Sequence, residues 1–192
     1  MAQPRGVVAR LMLLSALVIS TALVVVLARQ RQSFEARYRE VVARLQDPYV
    51  GMYVPAVRAP TLEGDLLLIG EAPHAGRQVL FVFNTSCAYC LASLPSWKAV
   101  AERLDGEANV GLYGVSTDSL AVTRAYTAEH GLGFAVETMT EAKVQALYHL
   151  QRVPQTLILD HEGRVIFTRL GPVEGDAAVD SIVAVAKGAR PR

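Results

Sequence analysis

An uninterrupted apolar run, residues 79–83, leads through Asn84-Thr85-Ser86 into Cys87-Ala88-Tyr89-Cys90, and these are the only two cysteines among 192 residues. A continuous apolar stretch of that length is what a strand buried on both faces requires. Residues 89 to about 104 carry helical periodicity. The cysteines therefore stand where a central strand gives way to a helix. Around this junction strand and helix patterns alternate. "VRAPTLEGDLLLIGE" reads as two short strands turning at Glu63-Gly64-Asp65. A strand lies in "ANVGLYGVS", a helix runs from 119 to about 130, and a short strand follows around "FAVE". Thr140 is placed to cap a helix reaching about residue 150. "QTLILD" and "RVIFTRL" form strands joined by the 160–163 turn, and a last helix over 176–187 stops at Gly188. Such alternation predicts an α/β fold, a central mixed sheet with helices on both faces.

Chemistry follows from the placement of the pair. A cysteine in the first turn of a helix meets unpaired backbone N–H groups and the positive end of the helix dipole, which favour its thiolate and lower its pKa. Cys87 has that position. Cys90, one turn on along the same face, is within reach of a mixed disulfide formed at Cys87, so the spacing supplies a nucleophile and a resolving thiol. Two buried structural thiols are the plainer reading, but two cysteines scattered at random would stand three apart in about one case in a hundred. Two cysteines also cannot form the multi-bridge framework of a small secreted scaffold.

The amino-terminal region is of another kind. "LMLLSALVISTALVVVLA", residues 11–28, holds no charge and at 1.5 Å per residue would extend about 27 Å, close to the hydrocarbon thickness of a bilayer. It predicts a single transmembrane anchor over residues 1–31. A cleaved secretory signal ending at Val26-Leu27-Ala28 competes, but the run exceeds the usual apolar length and Arg29 would follow the cut. "SFEARYREVVARLQD" continues at helical spacing as a juxtamembrane segment, residues 32–50, with Pro48 ending the helix. The remaining 51–192 would form the globular domain. Residues 1–31 hold four arginines and no acid, leaving 15 of the 19 basic groups against all 18 acidic ones. The domain thus has no electrostatic footprint for nucleic acid. Arg29, Arg31, Arg37, Arg39 and Arg44 after the apolar run outnumber Arg5 and Arg10 before it, a bias toward a cytoplasmic domain.

A second motif, "RVPQTLILDHEGRVI", sets Pro154 just ahead of a strand. Proline is tolerated at the first position of a strand. A cis Val153-Pro154 bond would instead turn the chain beside the cysteines and leave backbone groups free to pair with an extended substrate.

Taken together, a strand, Cys-x-x-Cys, a helix with Pro95 five residues past the second cysteine, and Val-Pro-x-Thr before a strand hairpin resemble the thioredoxin fold. The apolar amino terminus, the "APTLEGDLLL" segment and the additional strand and helix before Pro154 resemble the membrane-anchored TlpA/ResA-like thiol-disulfide oxidoreductases of bacteria, over about residues 50–188. The resemblance implies an enzyme in which Cys87 attacks, Cys90 resolves and Pro154 is the adjacent cis-proline. It implies protein thiol and disulfide clients, a redox donor or acceptor protein, no cofactor, and a bacterial inner-membrane protein with its catalytic domain in the periplasm, a side that long domains reach regardless of flanking charge. The family's usual task is reducing protein disulfides outside the cytoplasm.

The chain also departs from that pattern. Ser86 replaces the usual tryptophan, Ala88-Tyr89 replaces a proline-containing pair, and Phe81 occupies the position of the buried carboxylate of many thioredoxins, so no base for Cys90 is evident. Two other chemistries use the same fold. A Cu(I) carrier would add a distant histidine to the thiolates, for which His149 and His161 are available, with a cysteine spacing one residue longer. A thiol peroxidase would place a threonine three residues before its cysteine, where Asn84 stands. Trp97 reads as packing, and Tyr89, directly before Cys90, reads either as a substrate contact or as packing.

Overall fold

The computed structural model describes residues 5–70 and 76–189. The outer ends of the predicted anchor and globular segments, 1–4 and 190–192, lie outside the described residues. By its contacts the chain divides into two units, between Ala43 and Arg44.

The first unit is helical. A single helix, α1 (Arg5–Gln46), runs through both the predicted anchor and the predicted juxtamembrane segment. No proline or glycine interrupts residues 7–46, so nothing divides it where the composition changes. Its stretch Met12–Glu35 is long and apolar enough to cross a membrane. Within it the Ser15 and Thr21 hydroxyls donate to the Met12 and Leu17 carbonyls at 2.9 and 2.7 Å, which satisfies them without water.

The second unit is built on a five-stranded sheet in the order β5-β4-β3-β6-β7, formed by β3 (Arg77–Phe83), β4 (Val110–Ser116), β5 (Ala135–Thr138), β6 (Gln155–Leu159) and β7 (Val165–Leu170). β3, β4 and β5 run parallel, and β6 and β7 complete the sheet antiparallel. The thioredoxin-like α/β arrangement expected from the sequence is present. β3 is central, and its alternation explains the unbroken apolar run. Val79, Phe81 and Phe83 enter one layer, Leu80 and Val82 the other, and all five are buried.

The first layer is helical. In α2 (Ala88–Leu104), Cys90, Leu94, Trp97, Val100 and Leu104 recur at intervals of three and four, and all are buried. Trp97 stacks on Phe81 with centroids 5.0 Å apart, which confirms its packing role. α3 (Leu120–His130) contributes Tyr126, and α5 (Asp176–Ala186) closes the layer with Val179, Ile182 and Val183.

The opposite layer is thinner. It is covered by α4 (Ala142–Leu147), residues around Met52 and Val54, and an antiparallel hairpin of β1 (Val57–Pro60) and β2 (Leu66–Ile69). The buried Gln78 amide ties the hairpin to the sheet, donating to the Leu68 carbonyl at 3.2 Å and accepting from the Gly70 N–H at 3.0 Å. Gly70 has φ +93°, and a Cβ there would lie 2.3 Å from the Pro55 carbonyl oxygen. α4 is shorter than the predicted 140–150 helix and starts from Glu141 instead of Thr140. Tyr148 ends it by turning into the core, where its hydroxyl donates to the Pro55 carbonyl at 2.6 Å, and His149 follows in the left-handed region at φ +56°.

Candidate active site

The carboxyl end of β3 is where the sequence placed the cysteines, and the local backbone explains how they are held. After Phe83 the chain turns through Thr85 and Ser86, and Cys87 becomes the N-cap of α2, with φ −82° and ψ 110°. Its carbonyl accepts from the N–H groups of Cys90 and Leu91 at 3.0 and 3.1 Å. Its Sγ also accepts from the Cys90 N–H, at 3.2 Å, so that donor is shared between the Cys87 carbonyl and its sulfur. Both thiols are free, Cys87 half-buried and Cys90 buried. Burial pushes the Cys90 thiol up, its hydrogen bond with Cys87 adds to this, and a backbone bond involving Asn84 works in the opposite direction. The charges of Cys87 and Asp118 raise it further.

Pro154 stands beside the pair. The Val153-Pro154 bond is cis, and the Val153 carbonyl oxygen lies 4.0 Å from Cys87 Sγ. The approach to this bond is held from several sides. The Gln155 amide donates to the His149 carbonyl at 3.2 Å, Arg152 pairs with Asp47 at 2.8 Å, and the Pro154 carbonyl accepts from the Gly171 N–H at 2.9 Å. The three residues predicted as one site thus meet at one place. Tyr89, 66% exposed, and Leu91, 49% exposed, form an apolar rim on the outer side of the first turn of α2.

Asp118 is the site component that sequence reasoning missed. It lies in the loop between β4 and α3, and its Oδ2 accepts from both the backbone N–H and the hydroxyl of Thr85, each at 2.7 Å. The Thr85 hydroxyl is thereby committed to Asp118. A signal was present: "STDS" follows β4 at the carboxyl ends of the parallel strands, where sites of open α/β sheets gather. The two histidines considered as metal ligands lie apart from each other. His149 faces the Asp47 carbonyl at 3.2 Å, and His161 is exposed in the β6–β7 turn. Among the described residues no three His, Cys, Asp or Glu side chains cluster as a metal site.

The chain is 28% identical to the methylamine utilization protein MauD of Methylophilus methylotrophus over 120 residues, 62% of this chain and 54% of MauD, so it spans about half the length of that relative. A thiol:disulfide interchange protein from Bacteroides sp. superposes with a TM-score of 0.60 at 16% identity, covering 74% of this chain and 93% of that one. The peroxidoxin BcpB of Mycobacterium tuberculosis does so with a TM-score of 0.62 at 17% identity, covering 74% and 99%. One fold therefore carries both kinds of protein, and which chemistry this chain performs is a matter for its site. Residues 50–168, which take in the hairpin, the cysteine pair, Asp118 and Pro154, match the AhpC/TSA family throughout, and the chain belongs to that family.

Proposed function

We propose that this protein is a thiol-disulfide oxidoreductase that exchanges disulfides with protein clients through Cys87 and Cys90. The observation that carries the reading is the asymmetry of the pair: a half-buried sulfur at a helix N-cap, 3.2 Å from the backbone N–H of a fully buried cysteine one turn behind it. Cys87 as thiolate attacks a client disulfide, forming a mixed disulfide and expelling one client thiolate, which takes a proton. Cys90 then loses its proton and attacks Cys87 Sγ. The Cys87–Cys90 bond forms, the second client thiolate departs, and two electrons have passed to the client. The N-terminal dipole of α2 and the Cys90 N–H stabilise negative charge on Cys87. Pro154 positions the client: with the Val153 carbonyl near the reacting sulfur, an extended client segment can lie across the loop and pair with its backbone.

A peroxidase reading needs a hydroxyl directed at the reacting sulfur to hold the peroxide, and the Thr85 hydroxyl donates to Asp118 instead. The exchange reading is therefore preferred. In the host, the Cys90→Ser protein accumulates mixed disulfides that dissolve in reductant, whereas Cys87→Ser accumulates none. Equal trapping by the two variants would overturn the assigned roles.

We extend the proposal to the membrane. Residues 1–31 anchor the protein in a single pass, 32–50 lead away from the bilayer, and 51–192 work on the periplasmic side as a reductase. The long apolar stretch of α1 supports the anchor. Long domains translocate irrespective of the arginines that flank the span.

A further inference from the structure

We propose that Asp118 is a positioning residue for the cysteine pair: its carboxylate clamps the turn that delivers Cys87 and holds a fixed negative charge at that turn, within electrostatic reach of the buried Cys90. This inference rests on the exchange reading above. Its basis is a relay of contacts between two neighbouring strand ends. The Ser116 and Thr123 hydroxyls, both fully buried, bond each other at 2.7 Å, linking the end of β4 to the first turn of α3. Ser116 Oγ also accepts from the Asp118 N–H at 3.2 Å, which orients the loop residue. Asp118 Oδ2 then takes both donors of Thr85. Next to it the Thr117 N–H donates to the Phe83 carbonyl at 3.0 Å, so the β4–α3 loop grips the β3–α2 turn on either side of Asn84.

The charge has a direct consequence for the chemistry. Around Cys90, among the described residues, the groups that titrate or carry charge are Cys87 on the same helix turn, Asp118 from the β4–α3 loop and Tyr126 from α3. The Tyr126 hydroxyl is buried without a hydrogen-bond partner, and its phenol is pushed up by burial first and then by the two cysteines, which sets it within electrostatic reach of the pair. Asp118, held against Thr85 two residues before Cys87, is thus a carboxylate whose charge reaches the resolving thiol, although the position six residues before Cys87 is Phe81. Burial does most to keep Cys90 protonated and the Asp118 anion adds to it, so the reduced protein offers one nucleophile, Cys87, and withholds the other until a mixed disulfide stands in front of it.

Both Thr85 bonds go to a single oxygen, which makes the charge separable from the clamp. In Asp118→Asn the amide oxygen can accept both, and the charge is removed; in Asp118→Ala both are lost. The test uses the reduced full-length protein in detergent micelles and the aromatic disulfide dithiobis(nitrobenzoate). One coloured thiolate is released when Cys87 attacks, and a second when Cys90 closes the Cys87–Cys90 bond. The pH profile of the second release is expected to move to lower pH in Asp118→Asn by about half a unit, roughly a threefold gain in rate at a fixed pH below the midpoint. Asp118→Ala is expected to show the same displacement and, in addition, a slower first release, because the turn is no longer held. A profile for Asp118→Asn that superimposes on the wild type, or that moves to higher pH as loss of a proton acceptor would make it, overturns the proposal. So does a first release from Asp118→Ala as fast as that of the wild type. If the wild-type protein itself releases only one thiolate, the exchange reading fails, and that result is independent of either Asp118 variant.

Discussion

Glu137 projects from β5 into the thinner apolar layer, fully buried, with no hydrogen-bond partner for either carboxylate oxygen. Burial pushes its pKa from 4.5 up to about 8. The folded chain therefore holds a proton that the unfolded chain has released, and stability falls as the pH rises from about 4.5 to about 8, then levels off. Glu137→Gln removes this slope. Urea unfolding at both ends of the range is expected to show the variant matching the wild type in acid and exceeding it at the alkaline end by on the order of a few kcal/mol. Equal pH slopes in the two proteins would contradict this account. Glu137 was not legible in the sequence, because a four-residue strand with one acid reads equally well as an exposed edge; its burial comes from what packs over it, including the contact of Thr61 with its strand. Cys87, Cys90 and Pro154 were legible for the opposite reason. Their placement depends on near neighbours in the chain, on a helix start and on the residue before a proline. Asp118 bonds a residue 33 positions away; the Ser-Thr-Asp-Ser run marks a strand end, but no local pattern announces which residue it meets.

At the scale of elements, the hairpin depends on a single buried side chain. Gln78 belongs to β3 yet satisfies two backbone groups of the β2 end. Gln78→Leu would keep the apolar character of the strand but leave the Gly70 N–H buried without an acceptor, a loss of about 1–3 kcal/mol. Thermal unfolding is expected to shift down by roughly 5 °C; an unchanged transition would mean that the hairpin is held by its apolar contacts alone. Strong periodicity and unbroken apolar runs identified the strands and the helices α2, α3 and α5 from the sequence. α4 was drawn too long. The periodicity continues to residue 150, but Tyr148 and His149 obey the packing against Pro55 and Asp47 instead of the helix. The anchor and the juxtamembrane segment were told apart by composition alone, and a change from apolar to charged composition alters the surroundings of a helix without breaking its hydrogen bonds, so α1 runs through both.

For the whole molecule, a periplasmic catalytic domain predicts that a membrane-impermeant maleimide added to cells with a permeabilised outer membrane labels Cys87, and that prior lysis adds nothing. Labelling that requires lysis would place the domain in the cytoplasm, as the arginine count suggests. The sequence by itself determined the α/β class, the central strand, the long apolar helix and the placement of the cysteine pair, because each rests on a spacing of 2, 3 or 3.6 residues or on an unbroken length of apolar chain. Only the tertiary structure decided which acid holds the turn before Cys87, which layer takes the helices and which the hairpin, and where Val153 sits relative to Cys87. Those are meetings between segments far apart in the chain. They are settled by how strands order themselves in the sheet and how side chains fill the two layers, and one-dimensional spacing carries no record of either.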